Sequence, residues 1–435
     1  MRPRITIISV FGHRNKGDAA IFRSLLLHVE RLHPGAEIAA VVRHPETERD
    51  LYPRIRIEEQ LLRSTAARRP VKLLEMVRFA LGCLLWVASR PLGCALLPTR
   101  KRSALDAIAR AELVLSCGGG FLHDSFPGFV VHLFEMYVVQ RLGKPLILTG
   151  QSIGPFRSHW SRRLARRILD RCDLILPRER ISLEYLRSDL GVTRPGILLI
   201  PDLAFSPDEG LGEPAGRTGS TAARIVRGPG LVGVTVRHWN FAGRASEAGD
   251  LNRRFQEILS DILDSLVART GYRIVFFPQA ISAGFSARDD RAIARKVAGT
   301  MEHGEAVTLI EEDLPVPELR QAIARCDLFV GTRMHSNIFA LSAGVPTLAI
   351  SYLPKTRGIM ELVGLGEHVV DMTAGTERFQ EGLRRLVESQ DEIRSLLRKR
   401  MPDIRASIAD VLSQAIDRSL PVDARRPTTT GSATE

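Results

Sequence analysis

The chain has 435 residues, of which 44% are hydrophobic and 25% charged, and its formal net charge at pH 7 is +12. This composition excludes an intrinsically disordered chain, and the length exceeds one ordinary hydrophobic core, which predicts two domains. Among the partners that suit a positive charge, nucleic acid is disfavoured, because aromatic residues make up only 6% and do not alternate with basic ones; an anionic membrane surface or an anionic small substrate remains.

The first half of the chain alternates apolar strands with helical segments, at a spacing of roughly 30 residues. The first strand is Ile5 to Val10, and a helix from Ala19 to Leu32 follows the turn FGHRNKGDAA. Further strands are expected in EIAAVV, AELVLSCGGG, KPLILTGQSIGPF and CDLILPRE. This pattern predicts βαβ units with a parallel sheet, and therefore an N-terminal Rossmann-like domain over residues 1–206.

A segment rich in glycine, proline, serine and threonine interrupts this pattern and predicts an interdomain linker over residues 207–230. The α/β series then resumes and predicts a second Rossmann-like domain over residues 231–420, followed by a disordered tail over 421–435. The expected fold class is α/β and GT-B-like: two doubly wound, mainly parallel sheets that face a central cleft. Ligands of such sheets bind at the carboxyl ends of the strands.

The five cysteines are scattered and show no C-x-x-C spacing. They predict reduced thiols in a cytoplasmic protein, without a disulfide scaffold or a zinc knuckle. The N-terminal stretch MRPRITIISV is typical of a strand and not of a signal peptide. The histidines show neither H-x-x-x-H nor H-E-x-x-H spacing, so no metal site is predicted.

The apolar stretch from Phe79 to Leu97 has about the length of a membrane span. Arg90-Pro91 interrupts it, which disfavours a spanning helix. Four basic residues precede it: Arg68, Arg69, Lys72 and Arg78. Two interpretations remain open, a buried helical hairpin and a basic apolar face that docks peripherally on an anionic membrane.

In the second half of the chain, Arg333 and His335 lie where an apolar strand ends and a helix begins. An arginine at this position can bind a carboxylate or phosphate with two donors, and a histidine can act as acid or base near neutral pH. Arg237 and Gln279 end two further strands, so all four side chains are expected at one edge of the sheet. Together they predict a site for a doubly anionic small molecule.

Each of these residues also has a structural interpretation. His335 could cap or pack the helix, and Arg333 could form an ion pair with Glu361 or Asp313. Arg237 could be one of the arginines that often end strands.

The first domain offers three loops at strand ends, which contain Asn15 to Asp18, Gly118 to Gly120 and Gly150 to Pro155. Glycines after a strand let backbone amides approach a ligand, although a tight strand-to-helix turn explains them equally well. Asp18 could simply cap the first helix. The chain contains no P-loop pattern, so this nucleotide-phosphate signature is missing.

Seven stretches, in order and spread over roughly residues 5 to 370, resemble the polysaccharide pyruvyl transferase family. They are NKGDAAI, GGGFLHD, GQSIGPF, PRERISLEYL, PDLAF, FFPQ and the long block that begins GTRMHSNIFALSAGVPTLAISY. The resemblance implies a GT-B-like enzyme that moves an enolpyruvate-derived group from phosphoenolpyruvate onto a sugar, usually as a 4,6-ketal. It also implies donor binding by Arg333 and Met334, with His335 as the acid/base and Arg237 as a looser match.

On this basis Gln279 and Ser336 are further donor-binding candidates, and the first-domain loops are expected to bind the acceptor. The acceptor-binding candidates are Asn15, Asp18, Gly119, Gly120 and Gln151. The acceptor would be a polysaccharide or a lipid-linked oligosaccharide precursor, without nucleic acid and without a cofactor beyond the donor substrate. The expected location is the cytoplasm, with peripheral contact at the inner membrane face left open.

Two other functions remain open for this sequence. A GT-B glycosyltransferase that uses a nucleotide sugar commonly holds the ribose with an acid in the corresponding helix, but this chain offers Ser336 and Asn337 there. A noncatalytic protein that binds an anionic polymer or a sugar phosphate would need the basic surface, but not the pairing of Arg333 with His335.

Overall fold

The computed structural model describes residues 2–207, 230–239, 247–281, 289–351 and 354–421. Most of the predicted linker and of the predicted tail lies outside these residues. The chain forms two compact units, and the second contains His13–Ala20 together with described residues of Ala204–Ala406. The first contains the described residues up to Gly12, Ile21–Leu203 and those from Ser407 onward. These units differ from the linear boundaries drawn on the sequence, because the chain passes between them more than once.

The described residues of the first unit form a parallel sheet of eight strands. These strands are β1 (Arg4–Val10), β2 (Glu37–Val42), β3 (Arg56–Glu59), β4 (Leu113–Ser116), β5 (Gly119–Leu122), β6 (Leu146–Ile153), β7 (Leu174–Pro177) and β8 (Gly196–Ile197). The sheet order is β3-β2-β1-β4-β6-β7-β8, and β5 pairs with β6. Its central strands are buried on both faces, which explains continuous apolar runs such as ITIISV in β1.

Helices connect these strands. They are α1 (Lys16–Leu32), α2 (Pro45–Leu51), α3 (Arg69–Ala88), α4 (Arg90–Leu96), α5 (Thr99–Arg110), α6 (Phe129–Arg141), α7 (His159–Leu169) and α8 (Arg180–Glu184). A π-helical turn Tyr185–Asp189 follows α8, and a 3-10 turn Leu203–Phe205 ends the segment. The first residues of α1 belong to the second unit, and α1 begins three residues before the predicted Ala19.

The second unit has a parallel sheet of six strands among the described residues. They are β9 (Leu231–Thr235), β10 (Arg273–Phe276), β11 (Val307–Leu309), β12 (Leu328–Gly331), β13 (Thr347–Ser351) and β14 (Val369–Asp371). The order β11-β10-β9-β12-β13-β14 reverses direction between β9 and β12. The predicted α/β class with two doubly wound parallel sheets is therefore confirmed.

Seven helices are described in the second unit, and the last of them continues into the first unit. They are α9 (Ala248–Thr270), α10 (Asp290–Ala298), α11 (Val316–Ile323), α12 (Met334–Ser342), α13 (Pro354–Leu362), α14 (Thr376–Glu388) and α15 (Gln390–Ser419), with a 3-10 turn Gly304–Ala306. Gly271 ends α9 in the left-handed conformation with φ of 69°, a backbone geometry that favours glycine. The Asp289 side chain caps α10 by accepting a hydrogen bond from the Arg291 amide at 3.0 Å.

The apolar stretch around residues 79–97 forms the hairpin of α3 and α4. Among the described residues no helix is both long and apolar enough to cross a membrane. A Cβ on Gly93 would overlap the backbone of Trp86, so the two helices pack very closely. One face of α3 is buried, and the opposite face is exposed.

The three glycines after β4 do not form a strand-to-helix turn, which was the structural explanation considered for them. They lead into the short strand β5. A Cβ on Gly118 would lie 2.6 Å from the carbonyl oxygen of Thr149 and 2.8 Å from that of Gly150. A side chain at Gly118 is therefore excluded by the close approach of the neighbouring backbone.

Candidate active site

The candidate site lies where the order of the second sheet reverses. Arg237 follows the end of β9, Arg333 follows the end of β12, and Gln279 follows the end of β10. The reversal between β9 and β12 creates the crevice in which doubly wound sheets bind their ligands. The second unit thus brings three predicted donor-binding residues to the carboxyl ends of adjacent strands.

Arg333 forms a two-point ion pair with Asp290, a residue that sequence analysis did not single out. Its Nε donates to Oδ2 at 3.1 Å, and its Nη2 contacts Oδ1. The Asp290 carboxylate is only 2% exposed and also accepts from the backbone amides of Gln279 at 3.1 Å and Ala280 at 2.9 Å. Arg333 is therefore held on its Nε and Nη2 edge, and its Nη1 has no hydrogen-bond acceptor among the described residues. The pair that sequence analysis considered, with Glu361 or Asp313, is not the one observed.

His335 lies in the first turn of α12 and packs against Gly17. A Cβ built on Gly17 would overlap Nδ1, Cγ and Cε1 of the imidazole. Only glycine therefore leaves room for this ring position. No local pattern in NKGD signals this contact, because its partner lies more than 300 residues further along the chain.

The segment that carries Gly17 is tied to the loops of the second sheet. Asn15 forms an antiparallel bridge with Ala280, and the Lys16 amide donates to the carbonyl of Gln279 at 3.1 Å. The Lys16 ammonium, on a side chain 3% exposed, pairs with Asp313. Asn15 was expected to bind the acceptor with the first domain, but the structure groups it, like Asp18 in the first turn of α1, with the second unit.

Gln279 carries a buried side-chain amide that has no hydrogen-bond partner among the described residues. The residue is 2% exposed, and both Nε2 and Oε1 are unpaired. Its backbone, by contrast, is fixed by Asp290 and Lys16. Because leaving buried polar atoms unpaired costs about 1–3 kcal/mol, such an amide is a candidate for contact with a ligand.

The remaining donor-binding candidates have structural contacts of their own. Ser336 is fully buried; its hydroxyl lies 2.7 Å from that of Thr235 and donates to the carbonyl of Arg333 at 2.7 Å. Ser336 thus joins the end of β9 to the start of α12. Met334 is buried beside it, and the half-buried Arg237 holds its guanidinium 4.9 Å from the ring centroid of Trp239.

Three acceptor-binding candidates lie inside the first sheet. Gly119 and Gly120 form the start of β5, and Gln151 lies in β6. The Gln151 side chain is completely buried and donates from Nε2 to the carbonyl of Cys117 at 2.5 Å. The structure therefore gives Gln151 a role in holding β4 and β6 together.

The first unit also has a cavity of about 530 Å³ at the carboxyl ends of β1, β2 and β3. Its lining includes Phe11, Arg43, His44, Arg63, Lys72 and Phe126. The Arg43 guanidinium lies 5.7 Å from the ring centroid of Phe11. No sequence pattern predicts this cavity, because its residues come from five separate segments. Cationic and aromatic groups in one cavity suit a polar ligand that carries negative charge.

Two titratable residues of α6 are buried here: His132, which lines the cavity, and Glu135, one turn further along the helix. Burial, with a smaller contribution from Arg43, lowers the pKa of His132 to about 3, and its ring stacks on Phe121 at 4.0 Å. Burial raises the pKa of Glu135 to about 7, against the opposing effects of hydrogen bonds and of Lys101. The imidazole is therefore neutral at physiological pH.

The part of the chain that the structure describes offers no metal site of the usual kind. There, no group of three or more His, Cys, Asp or Glu side chains could hold a metal ion.

Solved structures establish the class of fold. The chain superposes on a UDP-N-acetylglucosamine 2-epimerase homologue of Listeria monocytogenes, described as putative, with a TM-score of 0.59, 13% identity and 96% of each chain covered. It superposes on sucrose-phosphate synthase of Thermosynechococcus elongatus with a TM-score of 0.57, 14% identity and coverage of 96% of this chain and 99% of that one. At such identities the likeness shows the fold alone, and that fold is GT-B-like.

The family follows from the sequence comparison. Residues 15–354 match the model of the polysaccharide pyruvyl transferase family, and the chain belongs to that family. It is also similar to the amylovoran biosynthesis protein AmsJ of Erwinia amylovora, with 24% identity over 364 residues that cover 82% of this chain and 85% of that protein. The sequence resemblance is thus confirmed, and the protein is a transferase that acts on polysaccharide.

Proposed function

We propose that the protein moves a pyruvyl group from phosphoenolpyruvate onto sugar hydroxyls of a polysaccharide or of its lipid-linked oligosaccharide precursor, and forms a ketal. The observation that carries this proposal is the ring of contacts around Arg333 and His335. Asp290 joins Arg333 to the backbone of Gln279, Lys16 joins Gln279 to the Gly17 segment, and Gly17 contacts His335.

Phosphoenolpyruvate carries a carboxylate and a phosphate, which require donors in two places. Arg333 offers Nη1, since its other edge is held by Asp290, and the first amides of α12 lie beside it. Arg237 adds a second guanidinium from the adjacent strand end. The unpaired Gln279 amide supplies both a donor and an acceptor for the same ligand.

The reaction requires a proton at the methylene carbon of the donor. His335 gives this proton to C3 while the first sugar hydroxyl adds to C2, and the second hydroxyl then displaces phosphate from C2. Of the two hydroxyl protons, one balances the proton added to C3 and the other leaves with phosphate. The guanidinium groups stabilise the negative charge that develops on the departing phosphate.

We place this reaction in the cytoplasm. The five cysteines are free thiols, of which four are buried, and they suit a reducing compartment.

The test is thermal unfolding of the wild-type protein with phosphoenolpyruvate, UDP-sugars or GDP-sugars. A ligand at 100 times its dissociation constant stabilises the folded state by roughly 2.7 kcal/mol, which raises Tm by a few degrees. We expect a shift with phosphoenolpyruvate, and a much smaller one for Arg333→Lys, which keeps the charge but cannot hold both Asp290 and the donor. A shift with a nucleotide sugar alone would replace this proposal by that of a glycosyltransferase.

The transfer itself is tested by phosphate release. Phosphoenolpyruvate and a mixture of lipid-linked oligosaccharides from an exopolysaccharide-producing bacterium should release inorganic phosphate with the wild-type protein and not with His335→Gln. Mass spectrometry of the product distinguishes the ketal from a single enolpyruvyl ether.

A further inference from the structure

The α3–α4 hairpin exposes an unusual number of large apolar side chains. Leu73 is 64% exposed, Leu74 is 70% and Leu81 is 53%, and Leu92 of α4 is 59% exposed. Val71, Val77, Leu84 and Leu85 are exposed as well. We call this set the hairpin face. Its members on α3 recur at the spacing of one helical side, opposite the buried Phe79, Cys83 and Trp86. Contiguous apolar surface of this kind marks an interaction site.

The charge around the hairpin face is strongly positive. Residues 68–90 contain five basic side chains and one acidic side chain, Glu75. Arg68, Arg69 and Lys72 stand at the start of α3, whose first turn contains no acidic residue, and they form no ion pair with the described residues. Cations are unfavourable at a helix N-terminus, because they meet the positive end of the helix dipole. Their presence here suits a negatively charged partner.

The same helix borders the cavity of the first unit. Lys72 and Met76 line that cavity, while Leu73, Leu74 and Val77 between and beside them face solvent. A surface that covers the hairpin face would therefore lie next to the cavity that contains Arg43 and Phe11.

We infer that the hairpin face docks on the surface of an anionic lipid bilayer. The leucines enter the boundary between headgroups and acyl chains, and the unpaired cations at the start of α3 meet the lipid phosphates. The helix lies along the membrane and does not cross it, in keeping with the absence of a spanning helix among the described residues. The cavity then opens beside the headgroups, where the sugar of a lipid-linked acceptor is found. This docking goes beyond pyruvyl transfer and does not depend on it.

The test is sedimentation of the full chain with vesicles of phosphatidylglycerol and phosphatidylcholine, or of phosphatidylcholine alone. We expect the wild-type protein to bind the anionic vesicles, and L73Q/L74Q to bind them with an affinity at least tenfold lower. Because both leucines are largely exposed, this variant should fold as the wild type does. R68Q/R69Q should bind more weakly and lose most of the salt dependence. The matched control is L198Q/L199Q, two exposed leucines away from the hairpin; it should bind as the wild type does.

Two results would overturn the inference. One is equal vesicle binding by the wild type and L73Q/L74Q. The other is a wild-type protein that does not bind vesicles but forms a dimer in solution, together with an L73Q/L74Q variant that stays monomeric. The hairpin face would then be an interface between two copies of the chain. The Tm shift with phosphoenolpyruvate is measured on the same samples, so a failure of donor binding is seen separately.

Discussion

Arg333 and Asp290 lie 43 residues apart in the sequence and form a two-point ion pair, with Nε of the arginine 3.1 Å from Oδ2 of the aspartate. The aspartate also accepts hydrogen bonds from the backbone amides of Gln279 and Ala280. One buried carboxylate thus fixes both a guanidinium and a loop at the strand ends of the second sheet. In the proposed function Asp290 is a positioning residue, because it would act on the donor only through Arg333 and Gln279.

Asp290→Ala should therefore damage both stability and donor binding. It leaves two amides and a largely buried guanidinium without their acceptor, and the loss of one partner of such a pair costs about 3–5 kcal/mol. Urea unfolding gives the loss in free energy, and calorimetric titration with phosphoenolpyruvate gives the loss in affinity. Asp289→Ala is the control; it removes a helix cap worth about 1 kcal/mol and the ion pair of Asp289 with Arg291, and its donor affinity should stay at the wild-type value.

Gly17→Ala should reduce kcat while the protein stays folded. The added methyl overlaps the His335 ring and forces it to move, so the proton is delivered from the wrong position. We expect at least a tenfold loss, or about 1.4 kcal/mol in the activation barrier, with a smaller change in donor affinity. Gly249→Ala, in the first turn of α9, has nothing within 4 Å of the new methyl and should behave as the wild type does. An unchanged kcat in a folded Gly17→Ala protein would remove His335 from the mechanism.

Gln279→Leu should separate function from stability. Without ligand, the amide has no partner among the described residues, so a leucine should leave the free energy of unfolding unchanged or raise it. Donor affinity should fall at least tenfold, because the bound carboxylate or phosphate loses a donor. Gln151→Leu is the opposite case: it removes a buried hydrogen bond to Cys117 and should lower the free energy of unfolding by about 1–3 kcal/mol. Destabilisation by Gln279→Leu would contradict the role given to its amide.

Glu135→Gln should change how stability depends on pH. In the folded protein burial raises the pKa of this carboxyl from 4.5 to about 7, so it keeps a proton that the unfolded chain releases. Raising the pH across this window therefore favours unfolding of the wild type, by on the order of 3 kcal/mol once the window is passed. The free-energy difference between Glu135→Gln and wild type should grow from pH 4.5 to about 7 and stay constant above.

His132 contributes in the opposite direction. Its pKa is about 3 in the folded protein, so below the ordinary histidine value of 6.5 the unfolded chain binds a proton that the folded chain does not. Lowering the pH through that range destabilises the fold, which partly masks the effect of Glu135 in the wild type. The free energy of unfolding is therefore measured in urea, at a series of pH values, for both the wild type and Glu135→Gln. A constant difference over the whole range would mean that Glu135 is ionised as usual.

Much of the fold was predictable, because buried parallel strands have continuous apolar sequences. β1 and β12 are examples, each followed by a glycine or a polar turn. β3 was missed, since its sequence RIEE contains two acidic residues that are buried. Glu59 is stabilised by Lys101 at 2.9 Å and by Arg63 at 3.0 Å, and such an ion network depends on tertiary contacts that no local pattern reveals.

The candidate site was predictable in part for the same reason. Arg237, Gln279 and Arg333 end apolar strands, and the rule for doubly wound sheets brings such ends together. Asp290 follows no strand and belongs to no recognisable motif, so only the folded chain shows its contact with Arg333. The contact of Gly17 with His335 joins residues more than 300 positions apart, and the sequence alone suggested an acceptor role for this segment instead.

The chain cannot be cut into two working halves at the segment between residues 207 and 230. A C-terminal fragment that begins there lacks Lys16 and Gly17, the partners of Asp313 and His335. It also carries the end of α15 without the first unit, where Asp417 lies 3.2 Å from His33 and Leu420 is buried. The N-terminal fragment, in turn, loses that helical end. A chimera made by exchanging whole halves between two relatives should therefore not fold into an active protein. It needs residues 13–20 from the same relative as the second unit, and residues 407–421 from the same relative as the first.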